Sequence, residues 1–122
     1  MDDKSQSFRD VLVWQKAHAF ALAVYRCTEA FPKHELFALT AQLRRAASSI
    51  PSNFVEGFRK RTKPDKIRFY NIAQASADEA VYQLILAHDL HYADTTNLQA
   101  DLEEVSRLLQ GYINGVERLA AP

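Results

Sequence analysis

The sequence predicts an all-α chain folded as an up-down-up-down, left-handed four-helix bundle. Three observations lead there. Apolar residues make up 48% of the 122 residues, with only three glycines and four prolines, a composition that favours long helices. Four stretches carry apolar residues at steps of three and four, the period of a helix. Three short breaks rich in proline, threonine and aspartate separate them, and short connections make consecutive helices antiparallel neighbours. One domain over residues 10–120 is expected, with residues 1–9 as a flexible N-terminal arm.

From Asp10 to Phe31, the residues Val13, Ala17, Phe20, Val24, Cys27 and Phe31 line one side of a first helix. Trp14 reads as an anchor against a neighbouring helix, and Cys27 as a small hydrophobe in the core stripe. Pro32 ends this helix, because the residue before a proline avoids the helical region.

Residues 36 to 61 form the organising stretch. Leu36, Leu39, Leu43, Ala46, Ile50, Phe54 and Phe58 make its stripe. Pro51 lies inside it, removes one backbone hydrogen bond, and predicts a kink near residues 47–51. Ser48 and Ser49 are placed to bond the carbonyls that the proline frees.

Thr62, Pro64 and Asp65 form a helix start of cap, first-turn proline and acid. A third helix from about Pro64 to His91 has one face of Phe69, Ala73, Ser76, Ala80, Leu84 and Ala87, and a second of Tyr70, Ala77, Val81 and His88. Glu79 lies among alanines, so a partly buried carboxylate clamped by Arg44 or Arg45 is expected. Thr96-Asn97-Leu98-Gln99 has the spacing of a capping box. Leu98, Leu102, Val105, Leu109, Tyr112, Val116 and Leu119 then make the seam of a fourth helix, in which Gly111 and Gly115 leave room for another backbone.

Formal net charge is zero, but it is unevenly spread. Residues 1–70 hold 13 Lys and Arg against 7 Asp and Glu, and residues 71–122 hold 2 against 8. Either the halves neutralise one another, within the fold or between subunits, or a local basic surface serves a polyanion. The single cysteine precludes an internal disulfide and suits a reducing, cytoplasmic setting. No apolar run reaches membrane-spanning length.

Most chemistries find no foothold. A di-iron bundle needs Glu-x-x-His pairs on two helices, and the sequence has none; His88 and His91 have no second pair to complete a metal set. Phosphate-binding glycine loops, the nucleophile elbow and the H-E-x-x-H zinc motif are all absent. No enzyme, cofactor or metal is therefore expected. What remains is the basic constellation Arg59, Lys60, Arg61, Lys63, Lys66 and Arg68, with Phe58, Phe69 and Tyr70 interleaved. Such cations meet phosphates, and aromatics beside them stack on unpaired bases.

The run Gln42-Leu43-Arg44-Arg45-Ala46-Ala47-Ser48-Ser49-Ile50-Pro51-Ser52-Asn53-Phe54-Val55-Glu56-Gly57 resembles the proteins encoded within intervening sequences of 23S ribosomal RNA genes. The likeness extends to Val13-Trp14-Gln15-Lys16-Ala17, to Phe31-Pro32, and to Phe69 through Glu79, where Ala75 replaces the glycine of the family's A-x-G-S-x-x-E. The chain is also similar to the accessory bundle protein of diversity-generating retroelements, which partners a reverse transcriptase and nucleic acid through basic surfaces. The resemblance implies a ring-like homopentamer and raises RNA or DNA as a ligand. Arg44, Arg45, Asn53, Glu56, Gly57, Ser76 and Glu79 occupy its motif positions; by chemistry they read as an interhelical polar network.

Two functions follow. In the first, a non-enzymatic homo-oligomeric bundle binds nucleic acid, RNA favoured, through the basic constellation. In the second, the protein is a structural scaffold or protein-partner module, and the basic end of helix two meets the acidic surface of helices three and four on a neighbour.

Overall fold

A computed structural model describes residues 7–119. Four helices account for nearly all of it: α1 Leu12–Thr28, α2 Leu39–Arg59, α3 Lys63–Asp89 and α4 Thr96–Glu117. Each helix packs on its neighbours in the chain, and α1 closes on α4. The paired contacts make successive helices antiparallel. Thr28 meets Arg44, Ser49 meets Ser76, and Lys63 at the start of α3 reaches Glu117 at the end of α4.

The core forms where the four stripes meet. Phe20 and Val24 of α1, Leu43, Ile50 and Phe54 of α2, Tyr70 and Leu84 of α3, and Leu102 and Leu109 of α4 are all buried. Each such side chain contributes about 1.5–3 kcal/mol of burial. Alanines at 73, 77, 80 and 87 let α3 approach α2 closely. At one end of the core the aromatics interlock, Phe54 stacking on Tyr70 at 5.2 Å while Tyr112 stands edge-on to both, at 5.1 and 5.6 Å.

Several local readings are corrected. Helix two starts at Leu39, not Leu36. Lys33–Glu35 forms a short 3-10 turn, Leu36 is half exposed and Phe37 is 93% exposed. Glu35 Oε1 accepts from the Leu39 amide at 3.3 Å and anchors this start. Phe8–Asp10, within the expected arm, is a 3-10 turn capped by Ser7; residues 1–6 of that arm lie outside the described residues. Cys27 is half-buried at the core's edge, and burial pushes its thiol pKa up. Ile113, not Tyr112, completes the buried seam of α4.

α2 passes through Pro51 as one continuous helix from Leu39 to Arg59. The serines before it do other work than expected. Ser48 Oγ donates to the Arg45 carbonyl at 3.3 Å, and Ser49 Oγ pairs with Ser76 Oγ at 2.8 Å.

The α3–α4 turn is also built differently. α3 ends in a Schellman arrangement: the Tyr92 amide donates to the Ala87 carbonyl at 2.9 Å and the His91 amide to the His88 carbonyl at 3.0 Å. His91 takes the left-handed position, φ 62°, that glycine usually fills. The capping box does not form. Instead Asp94 Oδ1 accepts from the Thr96 amide at 3.0 Å, which holds its carboxyl below the usual range, and Gln99 Nε2 donates to Thr95 Oγ1 at 3.0 Å. Thr95 is fully buried, and its hydroxyl donates to the Leu84 carbonyl at 2.7 Å. Beside this turn, Tyr92 Oη donates to Glu35 Oε2 at 2.7 Å and ties it to the α1–α2 connection.

Candidate nucleic-acid interface

The six cations expected to form one patch divide into two groups. Lys66 Nζ donates to the Phe58 carbonyl at 2.9 Å and the Gly57 carbonyl at 3.3 Å. Both carbonyls lie in the last turn of α2, where the Gly57 oxygen also accepts from the Lys60 amide at 3.2 Å and where positive charge suits the helix dipole. Lys63 Nζ does the same for α4, donating to the carbonyls of Glu117 (3.0 Å) and Leu119. Both lysines are half-buried staples of the bundle end.

Arg59, Lys60, Arg61 and Arg68 remain. Arg59, Arg61 and Arg68 are exposed, Lys60 is half-buried, and none has an ion-pair partner among the described residues. Lys60 Nζ lies 5.1 Å and the Arg68 guanidinium 4.7 Å from the centroid of the Phe69 ring. Phe69 therefore organises two cations at the surface. The stretch that joins α2 to α3 is only Lys60, Arg61 and Thr62, and the Thr62 side chain caps α3 by accepting from the Asp65 amide at 3.3 Å. This short link keeps Arg59, Lys60 and Arg61 on one end of the molecule, close to Arg68 in the first turns of α3.

Of the three interleaved aromatics, only Phe69 lies beside the patch's cations. Tyr70 is fully buried, and Phe58 packs against the core with Lys66 at 5.7 Å from its ring. Stacking of bases on Tyr70 is thus excluded by its burial, and Phe58 is partly covered by the core and by Lys66. Gly57 permits this arrangement. A Cβ there would stand 2.5 Å from Tyr70 Cε1, so only glycine lets the α3 ring slide under the last turn of α2.

The expected polar network breaks into separate pieces. Asn53 Nδ2 donates to Ser49 O and Ser49 Oγ at 2.9 and 2.8 Å, and Ser49 pairs with Ser76, so Asn53 and Ser76 do belong together across α2 and α3. Arg44 turns the other way. Its Nε donates to Thr28 Oγ1 at 2.7 Å and its Nη2 to the Tyr25 carbonyl at 3.3 Å, with the guanidinium 4.8 Å from the Tyr25 ring centroid. Arg45 and Glu56 are exposed on the outer face of α2. Glu79 is exposed too, with Gln83 Nε2 donating to its Oε2 at 3.4 Å. The clamp of Glu79 by Arg44 or Arg45 does not exist within the chain. Sequence spacing placed Glu79 beside alanines, but it lies on the side of α3 turned away from the core.

Among the described residues no group of three or more His, Cys, Asp and Glu is arranged to hold a metal ion, and no helix is long and apolar enough to cross a membrane.

A family model, that of the 23S rRNA-intervening sequence protein, matches residues 9–111. The chain belongs to that family. Within the S23 ribosomal protein family, a crystal structure of a protein of unknown function from Bacteroides thetaiotaomicron is similar at a TM-score of 0.78 and 25% identity, over 88% of this chain and 99% of that one. A comparison with curated proteins gives no match. The two chains thus share this four-helix architecture, and the Gln42 to Gly57 segment that carried the resemblance lies within α2, which contributes to both the core and the basic end.

Proposed function

We propose that this intervening-sequence family member is a non-enzymatic, homo-oligomeric bundle that binds nucleic acid, RNA in preference, through Arg59, Lys60, Arg61 and Arg68. The observation that carries the reading is the concentration of four cations at one bundle end with no carboxylate partner among the described residues. Cations without an ion-pair partner among the described residues are available to phosphate oxygens, and each contact made releases a counterion. Lys63 and Lys66 serve this site as supports, since they hold the helix ends from which the others project. The family context favours RNA, the resemblance stated above implies a ring-like homopentamer, and the single cysteine suits the cytoplasm.

Arg59→Ala, Lys60→Ala and Arg61→Ala combined reduce affinity for a structured RNA while helicity and assembly stay intact. Unchanged affinity refutes the assignment. A scaffold reading draws on the exposed acids Asp78, Glu79, Asp89, Asp101 and Glu103 of α3 and α4 as the surface that the basic end of α2 meets on a neighbour; under it, the same triple variant dissociates the oligomer and RNA affinity is negligible from the start.

A further inference from the structure

We infer that the outer face of α3 in one copy seats in the groove between α1 and α2 of the next, with Glu79 meeting Arg45 across the contact. The inference rests on the self-assembly part of the proposal above and names the surfaces that make it.

The groove is open and largely apolar. One stretch, of about 380 Å³, runs between Trp14, His18 and Leu22 on α1 and Pro51, Ser52 and Val55 on α2. The other, of about 520 Å³, runs between Tyr25 and Leu36–Phe37 on one side and Ala41, Arg44 and Arg45 on the other. Tyr25 and Ser48 line both, so the two are continuous. From Ala41 to Val55 the groove follows α2 for about 21 Å at 1.5 Å per residue. Phe37, 93% exposed, stands at its mouth.

α3 carries a matching ridge. A helix that packs on a core by one face ordinarily presents a polar opposite face. α3 buries Tyr70, Ala73, Ala77, Ala80 and Leu84, yet its other side shows Ile72, Ala75, Tyr82 and, just past its last residue, Leu90 at helical spacing, with Tyr82 61%, Leu90 45% and Ile72 40% exposed. That ridge is about 27 Å long, enough to fill the groove. An amphipathic ridge laid in an apolar groove is a recurrent mode of recognition.

Charge fixes the occupant as a second copy. The ridge carries Glu79 in the middle, flanked by Asp78 and Asp89, all exposed. The groove is rimmed by Arg9, Arg44 and Arg45. Neither Arg45 nor Glu79 has an ion-pair partner among the described residues. The basic first half and acidic second half of the chain thus complement each other between copies. Because groove and ridge are different patches on the same molecule, the contact is heterologous, and repeating it closes a ring if the rotation permits. It also leaves the basic end free for nucleic acid, since the groove stops at Val55, short of Arg59 to Arg61, and the ridge begins at Ile72, one turn past Arg68.

The test is charge reversal with rescue, read by sedimentation equilibrium on the full chain with circular dichroism to confirm folding. Glu79→Arg and Arg45→Glu each weaken self-association more than about tenfold, since like charges then face each other; both together recover most of the loss. If the wild type assembles and both single variants assemble equally well, or if the double variant recovers nothing, the groove-and-ridge contact is wrong while self-assembly stands. A wild-type chain that stays monomeric overturns the self-assembly reading itself, and leaves the groove to an amphipathic helix of another protein.

Discussion

Replacing Gly57 by alanine tests the packing beneath the basic end. A Cβ at this position would meet Tyr70 Cε1 at 2.5 Å, Tyr70 Cδ1 at 2.8 Å and the Lys66 carbonyl oxygen at 3.1 Å. The ring is poorly able to yield. It is fully buried, stacked on Phe54 and fixed edge-on by Tyr112. Overpacking of this kind costs about 2–3 kcal/mol, whereas alanine in a helix interior regains about 1 kcal/mol over glycine. The net loss is about 1–2 kcal/mol, or a Tm lower by roughly 4–10 °C for a domain of this size. Gly111 is the internal control. No neighbouring atom lies within 4 Å of the place a methyl group would take there, so Gly111→Ala keeps only the propensity gain and raises Tm by up to about 5 °C. Thermal unfolding followed by circular dichroism reads both. A Gly57→Ala protein as stable as the wild type, beside a stabilised Gly111→Ala, would refute the claim that Tyr70 is locked under α2.

Other perturbations follow from the turns. Thr95→Val removes the hydroxyl that bonds Leu84 and Gln99 in a fully buried site, and chemical denaturation should show a loss of about 1–3 kcal/mol. His91→Gly relieves a left-handed non-glycine residue and should stabilise by about 1 kcal/mol in the same assay. The Glu35 carboxyl is held below its ordinary pKa chiefly by the Tyr92 hydroxyl, and that of Asp94 by the Thr96 backbone amide. For groups lowered on folding, the stabilisation is present above the ordinary carboxylate pKa of about 4 and is lost as pH falls through the lowered folded values. Tyr92→Phe should move the Glu35 midpoint up in a carboxyl-carbon NMR titration and leave Asp94 in place. The Tyr92 phenol is raised by the same carboxylate, so its contribution is present at neutral pH and disappears as pH climbs through that raised value.

The bundle was legible because each helix buries a stripe at its own period: Val13, Ala17, Phe20 and Val24 on α1, and Leu98, Leu102, Val105 and Leu109 on α4, lie in the core where their spacing put them. Starts were harder. Leu36 fits the α2 stripe by number, but Lys33–Glu35 folds as a 3-10 turn and turns Leu36 and Phe37 outward. Turn chemistry misled at α4, where the capping spacing at Thr96 lost to a longer-range bond: Thr95 reaches back eleven residues to Leu84, and no local pattern reports that. The basic constellation was visible as a run of charge, yet its division was not. Whether a lysine faces a phosphate or a carbonyl depends on which helix ends beside it, and Lys63 and Lys66 sit over the ends of α4 and α2. For Glu79, adjacency to alanines indicated the right helix and the wrong side of it, and Arg44 found its partner in Thr28, a residue that stands out in α1 only as a polar group at a stripe position.

The most direct test of the central claim is the salt dependence of RNA affinity, measured by fluorescence anisotropy on a labelled stem-loop with duplex DNA alongside. If Arg59, Lys60, Arg61 and Arg68 each neutralise one phosphate of a single-stranded loop, affinity falls about 50-fold between roughly 50 and 200 mM salt, a log–log slope near −3. The triple alanine variant at 59, 60 and 61 should retain a slope below about 1 in magnitude. Binding that is absent at the lower salt, or that keeps its full slope in the triple variant, would contradict the account and return the basic end to a purely structural role.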